Sequence, residues 1–204
     1  PWNDRNGTAL AITGDGIQVK QTQGFLIEDN FVEDVQFMGY EIDASHNVVM
    51  QNNRASRVRT GIGVRNLTPS GVTQHSGNSI IRNNILDEVG NNSNVSCAMR
   101  ISGGTARDNA GITFLARFYN NIVSNIGYAG LCIASDDGTA PTDVFIWNNT
   151  FYGSSVVPGV SPARGIEFQS AANNAVIRNN VFQNLSSDGI IVPTSAVGGV
   201  SLNN

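Results

Sequence analysis

A repeated strand carries the charged side chains with which this sequence could do chemistry. Glu41 and Arg100 occupy its predicted outward position, and Lys20, Asp43 and Arg65 come two residues further along in successive repeats. By strand rise, Glu41 and Asp43 lie about 6.6 Å apart. That separation suits either an inverting pair of glycosidase carboxylates or shared ligation of Ca²⁺ by hard oxygen atoms, and the sequence leaves both open.

The cations on this strand favour β-elimination of a uronic acid. In that reaction a cation neutralises the substrate carboxylate and acidifies the C5 proton, which a base then removes. We predict Arg100, Arg65 and Lys20 as catalytic cations, with Ca²⁺ on Glu41 and Asp43 as a candidate cofactor. The alternating signs of Lys20, Asp43 and Arg65 are also typical of an ordinary cross-strand charge ladder.

Spacing along the stack of repeats separates these chemistries. Gly63 lies between Glu41 and Arg100, and its missing side chain is expected to leave room for a sugar ring. Glu41 and Glu167 lie four repeats apart, roughly 19 Å, which is too far for a glycosidase pair. Glu167 is therefore a candidate for binding substrate rather than for joining Glu41 in catalysis.

Long connections follow this strand in three successive repeats, at residues 66 to 78, 102 to 111 and 134 to 143. Clustered insertions on one side of a repeat protein build a wall, so we expect a cleft with Arg100 at its floor. The loops add the substrate-binding candidates His75, Arg107, Asp108, Asp136 and Asp137.

Two aromatic residues form a further candidate site. Tyr119 and Trp147 occupy the same outward position in two successive repeats, where they could hold a sugar ring by apolar contact. A neighbouring domain or subunit could cover the same pair instead.

Two recurring patterns define the elements that must position these residues. The first is a pair of polar residues between short apolar runs, found at Asp29-Asn30, Asn52-Asn53, Asn83-Asn84, Asn120-Asn121, Asn148-Asn149, Asn179-Asn180 and Asn203-Asn204. The second is a glycine followed by alternating apolar residues, as in Gly61-Ile62-Gly63-Val64. Together they predict three short strands per repeat, with each strand stacked on its own copy and a ladder of asparagine amides at one turn.

These motifs resemble the right-handed parallel β-helix of the pectate-lyase-like superfamily over residues 12 to 204. The resemblance implies an all-β solenoid of about seven coils, in a superfamily that includes polysaccharide lyases, glycoside hydrolases, epimerases, phage tailspikes and non-catalytic surface proteins. The run 135 to 138, Ser-Asp-Asp-Gly, is similar to the paired aspartates of β-helix polygalacturonases. The companion motifs of that family are absent, which favours a turn.

Composition narrows the classes of partner. The repeats run through residues 1–204 without a linker, which predicts one domain, and we expect the chain to be a segment of a longer protein. A net charge of −4 and the lack of an 18-residue apolar run argue against nucleic acid and membrane partners. Strand alternation points Cys97 inward and Cys132 outward, so we predict that they do not pair.

The favoured function is a polysaccharide lyase, outside the cell or on its surface, that cleaves an acidic, uronate-containing glycan. One alternative is a non-catalytic surface, fibre or tailspike-like adhesion module, which would self-associate into homo-oligomers through its faces or ends. A second alternative is a glycoside hydrolase.

Overall fold

The computed structural model describes residues 14–66, 76–90, 96–103, 114–135, 141–153, 163–194 and 200–203. Within these ranges the chain consists of short strands joined by turns. In chain order the strands are β1 (Ile17–Lys20), β2 (Leu26–Glu28), β3 (Phe31–Glu33), β4 (Met38–Asp43), β5 (Val49–Gln51), β6 (Arg54–Ser56), β7 (Thr60–Arg65), β8 (Ser79–Arg82), β9 (Ile85–Asp87), β10 (Cys97–Ser102), β11 (Ala116–Tyr119), β12 (Ile122–Ile126), β13 (Ala129–Ala134), β14 (Val144–Trp147), β15 (Thr150–Gly153), β16 (Arg164–Phe168), β17 (Ala175–Arg178), β18 (Val181–Gln183), β19 (Ile190–Ile191) and β20 (Val200–Asn203).

Every third strand joins the same sheet, and neighbours in each sheet are parallel. The first sheet has the order β1-β4-β7-β10-β13-β16-β19, the second β2-β5-β8-β11-β14-β17-β20, and the third β3-β6-β9-β12-β15-β18. Each of the first six coils therefore contributes one strand to each sheet, and β19 and β20 continue the first two sheets into a seventh coil. The predicted parallel β-helix, with three short strands per repeat and about seven coils, is confirmed.

The core lies inside the coil, between the three sheets. Apolar side chains that alternate along each strand point inward and stack on their copies in the next coil. Along the first sheet, Ile42, Val64, Ile101 and Ile133 are in register and fully buried. Burial of each such side chain contributes about 2 kcal/mol, so the repeated alternation is what selects the solenoid. No helix in the described ranges is long and apolar enough to cross a membrane.

In the four asparagine pairs between residues 52 and 149, the two members have different structural roles. The first member has a left-handed backbone, for example Asn83 with φ 57° and Asn120 with φ 56°, and forms the exposed corner of the turn. The second member is buried and donates to the carboxamide oxygen of its copy in the next coil. The Asn84 Nδ2 to Asn121 Oδ1 and Asn121 Nδ2 to Asn149 Oδ1 distances are 3.0 and 2.9 Å. The predicted asparagine ladder is confirmed.

Candidate functional site

The outer face of the first sheet carries the charged residues in the predicted register. Lys20 is paired with Asp43, Asp43 with Arg65 and Arg65 with Ser102, so the charges alternate over three successive coils. The parallel row places Arg100 beside Gly63, two coils beyond Glu41 and three beyond Gln18. Lys20 lies three coils from Arg100, roughly 14 Å along the stack, so the three predicted catalytic cations do not converge on one point.

Residues just before the repeated glycine also reach this outer face. Met99 packs in the core, yet Cys97, two residues earlier, is joined by a disulfide to Cys132 in the next coil. Cys132 is the register partner of Arg100, and the Cα atoms of the two cysteines are 5.8 Å apart. The prediction that the cysteines do not pair was wrong, because strict alternation does not continue back through Ala98.

The side chain of Met38, which also precedes a repeated glycine, fills the space expected at Gly63. A Cβ atom built on Gly63 would come within 2.5 Å of Met38 Sδ, which crosses from the preceding coil. The expectation of a vacant slot for a sugar ring between Glu41 and Arg100 was therefore wrong. Met38 occupies that slot, and its thioether forms part of the wall of a cavity one step away.

That cavity has a positively charged lining. It has a volume of about 300 Å³, and three of the side chains that line it are guanidinium groups, those of Arg59, Arg65 and Arg100. Phe37 and Met38 supply apolar wall, and the Arg59 guanidinium carbon lies 5.6 Å from the centre of the Phe37 ring. Two of the three predicted catalytic cations, Arg65 and Arg100, thus share one cavity.

Hydrogen bonds from the sheet orient these guanidinium groups. Arg100 Nε donates to Ser102 Oγ at 3.1 Å, and Arg59 Nε donates to Ser96 Oγ at 3.2 Å. Arg65 Nη1 donates to Glu41 Oε1 at 2.7 Å. Because each donor is held by a neighbour in its own or an adjacent coil, the positive charges are fixed in place before any ligand arrives.

Carboxyl groups behind Arg65 form a buried cluster. Glu41 and Asp43 are only 1% and 3% exposed, although both sit on the outer side of the sheet. Burial, followed by the nearby charges of Asp43 and Asp15, raises the pKa of Glu41 to about 7. Burial also raises the pKa of Asp43, against the opposing charges of Arg65 and Lys20. A carboxyl group adjoining the cavity wall is therefore poised to titrate near neutral pH.

The arrangement of Glu41 and Asp43 does not fit the predicted binding of Ca²⁺ between their carboxyl groups. The Gln18 amide Nε2 lies between the two carboxyl groups, 2.6 Å from Glu41 Oε2 and 3.0 Å from Asp43 Oδ2. A hydrogen-bond donor thus takes the place in which a shared cation would lie. Arg65 occupies the remaining Glu41 oxygen, so both Glu41 oxygens have partners, and Asp43 Oδ1 is buried without a hydrogen bond from any described residue. That single oxygen falls far short of the about six to eight oxygen ligands that Ca²⁺ takes.

Glu167 belongs to a separate polar group two coils beyond Arg100. Its Oε1 atom accepts hydrogen bonds from Arg164 Nη1 at 2.6 Å and from the Tyr128 hydroxyl at 3.1 Å. Arg164 also lies over the Tyr128 ring, 5.1 Å from its centre. The disulfide stands between this group and the cavity, so Glu167 and Arg100 are not brought together.

The two aromatic candidates lie on the second sheet, away from the arginine cavity. Tyr119 and Trp147 are register partners in β11 and β14, and their rings stack with centres 5.0 Å apart and planes 2° from parallel. The predicted shared outward position is confirmed. The loop candidates His75, Arg107, Asp108, Asp136 and Asp137 lie outside the described residues, as do most residues of the predicted wall.

Sequence reasoning missed the residues that complete the cavity, Phe37, Met38 and Arg59. They precede the repeated glycine by one or two positions, and strict alternation assigns no outer-face role to that part of the repeat. A signal was available: the equivalent position in later coils holds other large or reactive residues, namely Cys97 and Arg164. A repeat alignment extended two residues upstream of the glycine would have found them.

Comparison with known proteins gives one family. A family model described as periplasmic copper-binding protein (NosD) matches residues 3–195, nearly the whole chain. No curated protein matches the chain.

Proposed function

The chain belongs to the NosD family, and within that β-helix framework we propose that it binds an acidic, uronate-containing polysaccharide in the cavity of Arg59, Arg65 and Arg100. The observation that carries this proposal is the convergence of three guanidinium groups on one cavity in a chain whose net charge is −4. Local charge of the opposite sign to the whole molecule indicates an anionic ligand.

The chemistry of the lining fits a sugar carboxylate. A guanidinium group binds a carboxylate through two parallel N–H donors, which gives orientation as well as affinity. We assign the carboxylate to Arg100 and Arg59, because each of them donates to a neutral serine hydroxyl group, whereas Arg65 is paired with the carboxyl group of Glu41. Phe37 adds an apolar surface for the hydrophobic face of a sugar ring.

β-Elimination is the reaction that these cations would assist. The base takes the C5 proton, the C4–O bond breaks with its electron pair leaving on oxygen, and a C4–C5 double bond forms. Neutralising the uronate carboxylate makes the C5 proton more acidic, which is the role we give to Arg100. Glu41 has a pKa suited to a base, but at 1% exposure behind Arg65 it acts as a positioning residue. The described lining holds no carboxylate, imidazole or phenol, so binding has the stronger support.

Copper, which the family description names, does not fit the described residues. Protein copper sites use thiolate, thioether and imidazole ligands. Here Cys97 and Cys132 are joined in a disulfide, and Met50 and Met99 are fully buried in the core. The Met38 thioether lines the cavity of three guanidinium groups, whose positive charge opposes a metal cation. Across the described ranges, no group of three or more His, Cys, Asp or Glu residues is arranged to hold a metal ion. The proposal therefore uses no copper.

We place the protein outside the cytoplasm. The matching family is described as periplasmic, and the Cys97–Cys132 disulfide is the kind of bond that persists in an oxidising compartment. An extracytoplasmic location would also bring the protein into contact with polysaccharide.

To test this proposal, the protein is mixed with each member of a panel of polyuronates and matched neutral polysaccharides. Calorimetry measures binding, and ultraviolet absorbance of the unsaturated product measures elimination. Binding of polyuronate alone, with product formed, supports a lyase. Binding without product supports a non-catalytic binding module. Equal affinity for the neutral chains, or no binding with the protein folded, overturns the proposal.

A further inference from the structure

The outer face of the second sheet carries a ladder of cationic and aromatic side chains. One register row runs from Gln51 through Arg82, Tyr119 and Trp147 to Arg178. The Arg82 guanidinium carbon lies 6.0 Å from the centre of the Tyr119 ring, and Arg82 Nη1 donates to the Tyr119 hydroxyl at 3.1 Å. Arg82 also donates to Gln51 Oε1 from two nitrogens, so this end of the aromatic stack is closed.

The other end of the stack is open. A cavity of about 390 Å³ lies there, lined by Phe145, Trp147, Asn148, Val176, Arg178 and Asn179. These residues come from two adjacent coils and from neither β11 nor its turn, so the cavity lies on the side of Trp147 that faces away from Tyr119. Phe145 meets the Trp147 ring edge-on, with planes at 75°, and forms an apolar side wall.

Arg178 is the charged group of this cavity. It is exposed, and its guanidinium makes no hydrogen bond or ion pair with any residue in the described part of the chain. Its counterpart Arg82, three coils earlier, is fully engaged by Gln51 and Tyr119. The contrast leaves one available cation beside a half-buried aromatic ring.

We infer that this cavity is a second binding site for a uronate sugar, one that shares no residue with the arginine cavity of the first sheet. The hydrophobic face of the sugar ring packs on Trp147, and the carboxylate pairs with Arg178. Asn148 and Asn179 occupy exposed left-handed corners, with φ 55° and 52°, and their amides both donate to and accept from ring hydroxyl groups. The site rests on its own residues and stands whether or not the first cavity binds glycan.

Charge favours a uronate over a nucleic acid strand. Both ligands can pack against an aromatic ring, a sugar through its C–H face and a nucleotide through its base. A nucleic acid strand, however, carries a phosphate at every nucleotide and requires several cations along its path. This cavity offers one guanidinium, which matches the single carboxylate of one uronate residue.

The test uses a short oligogalacturonate as probe, with an uncharged methyl-esterified form and a single-stranded oligonucleotide as comparison ligands. Calorimetry in an Arg100→Ala background isolates the second site. Arg178→Ala is compared with Arg54→Ala, which removes an exposed guanidinium from the outer face of the third sheet. The indole N–H resonance of Trp147, assigned with Trp147→Phe, reports contact at the ring and does not require a truncated variant to fold.

We expect the oligogalacturonate to shift the Trp147 resonance, and its affinity to fall about 10-fold in Arg178→Ala but not in Arg54→Ala. The esterified form should bind as weakly as the probe binds to Arg178→Ala. An unshifted Trp147 resonance, an unchanged affinity in Arg178→Ala, equal binding of the esterified form, or preferential binding of the oligonucleotide would each overturn the inference. Complete loss of binding in the Arg100→Ala background would also overturn it, because the second site shares no residue with the first cavity.

Discussion

Arg65 Nη1 lies 2.7 Å from Glu41 Oε1, so a guanidinium in the wall of the cavity is held by a carboxyl group buried in the preceding coil. The arginine side chain is 28% exposed and the glutamate 1%. The pair thus connects the ligand-accessible face to a desolvated cluster whose charge depends on pH. We therefore expect stability and ligand binding to respond to the same titration.

Glu41→Gln should flatten the pH dependence of stability. The folded-state pKa of Glu41 is about 7 against an ordinary value of 4.5, so its favourable contribution is complete below about pH 4.5 and is lost as pH rises through 7. We expect the free energy of unfolding of the wild type to fall by up to about 3 kcal/mol more than that of Glu41→Gln over this range. Denaturant titrations across this pH range measure it, and parallel curves would contradict the assignment.

Gly63→Ala should reduce ligand affinity more than stability. The added methyl would lie 2.5 Å from Met38 Sδ, so the flexible thioether must move, and it lines the arginine cavity. We expect a destabilisation of about 1 kcal/mol and a several-fold weaker affinity for polyuronate. Gly14→Ala is the matched control, because nothing lies within 4 Å of its added methyl. Equal affinities in the two variants would argue against the cavity.

Removing the disulfide should cost substantial stability. Cys97 and Cys132 are 35 residues apart in sequence, and closing a loop of that length restricts the unfolded chain by about 4 kcal/mol. The double variant Cys97→Ala with Cys132→Ala should unfold at correspondingly lower denaturant concentration. Thiol labelling of the unreduced wild type should find no free cysteine. Stoichiometric labelling of the native protein would show that the bond does not form.

Substitution of the two asparagines of one pair should change stability by very different amounts. Asn121 is fully buried, donates to Asn149 Oδ1 and Ile81 O, and accepts two hydrogen bonds from Asn84, so Asn121→Ala leaves several polar groups unpaired. We expect a loss of about 3 kcal/mol or more. Asn120 is exposed with φ 56°, so Asn120→Gly should change stability by no more than about 0.5 kcal/mol. Chemical denaturation compares them, and similar losses would contradict the division of roles.

The repeat could be predicted from the sequence because every coil must bury the same kind of apolar core. Inward apolar residues must alternate, and the register that follows puts Lys20, Asp43 and Arg65 in one row. The pairing of Tyr119 with Trp147 was predictable for the same reason. Local periodicity therefore fixes which side chains are neighbours between coils.

The cavity was harder to predict because it depends on where alternation stops. Met38 and Cys97 reach the outer face from positions that a straight strand would turn inward, and Arg59 precedes them in the repeat. The burial of Glu41 also depends on its neighbours Gln18 and Arg65 in adjacent coils, rather than on its own position. Such features follow from packing between coils, which single-strand patterns do not encode.

The central claim is that the arginine cavity binds uronate, and Arg100 tests it most directly. The measurement is the calorimetric affinity for a short oligogalacturonate in an Arg178→Ala background, so that only the first-sheet cavity is probed. Arg100→Ala should weaken binding by about 10-fold or more, because a charge-assisted pair is lost, while Arg54→Ala should leave it unchanged. Equal affinity in the two variants, with both folded, would contradict the claim.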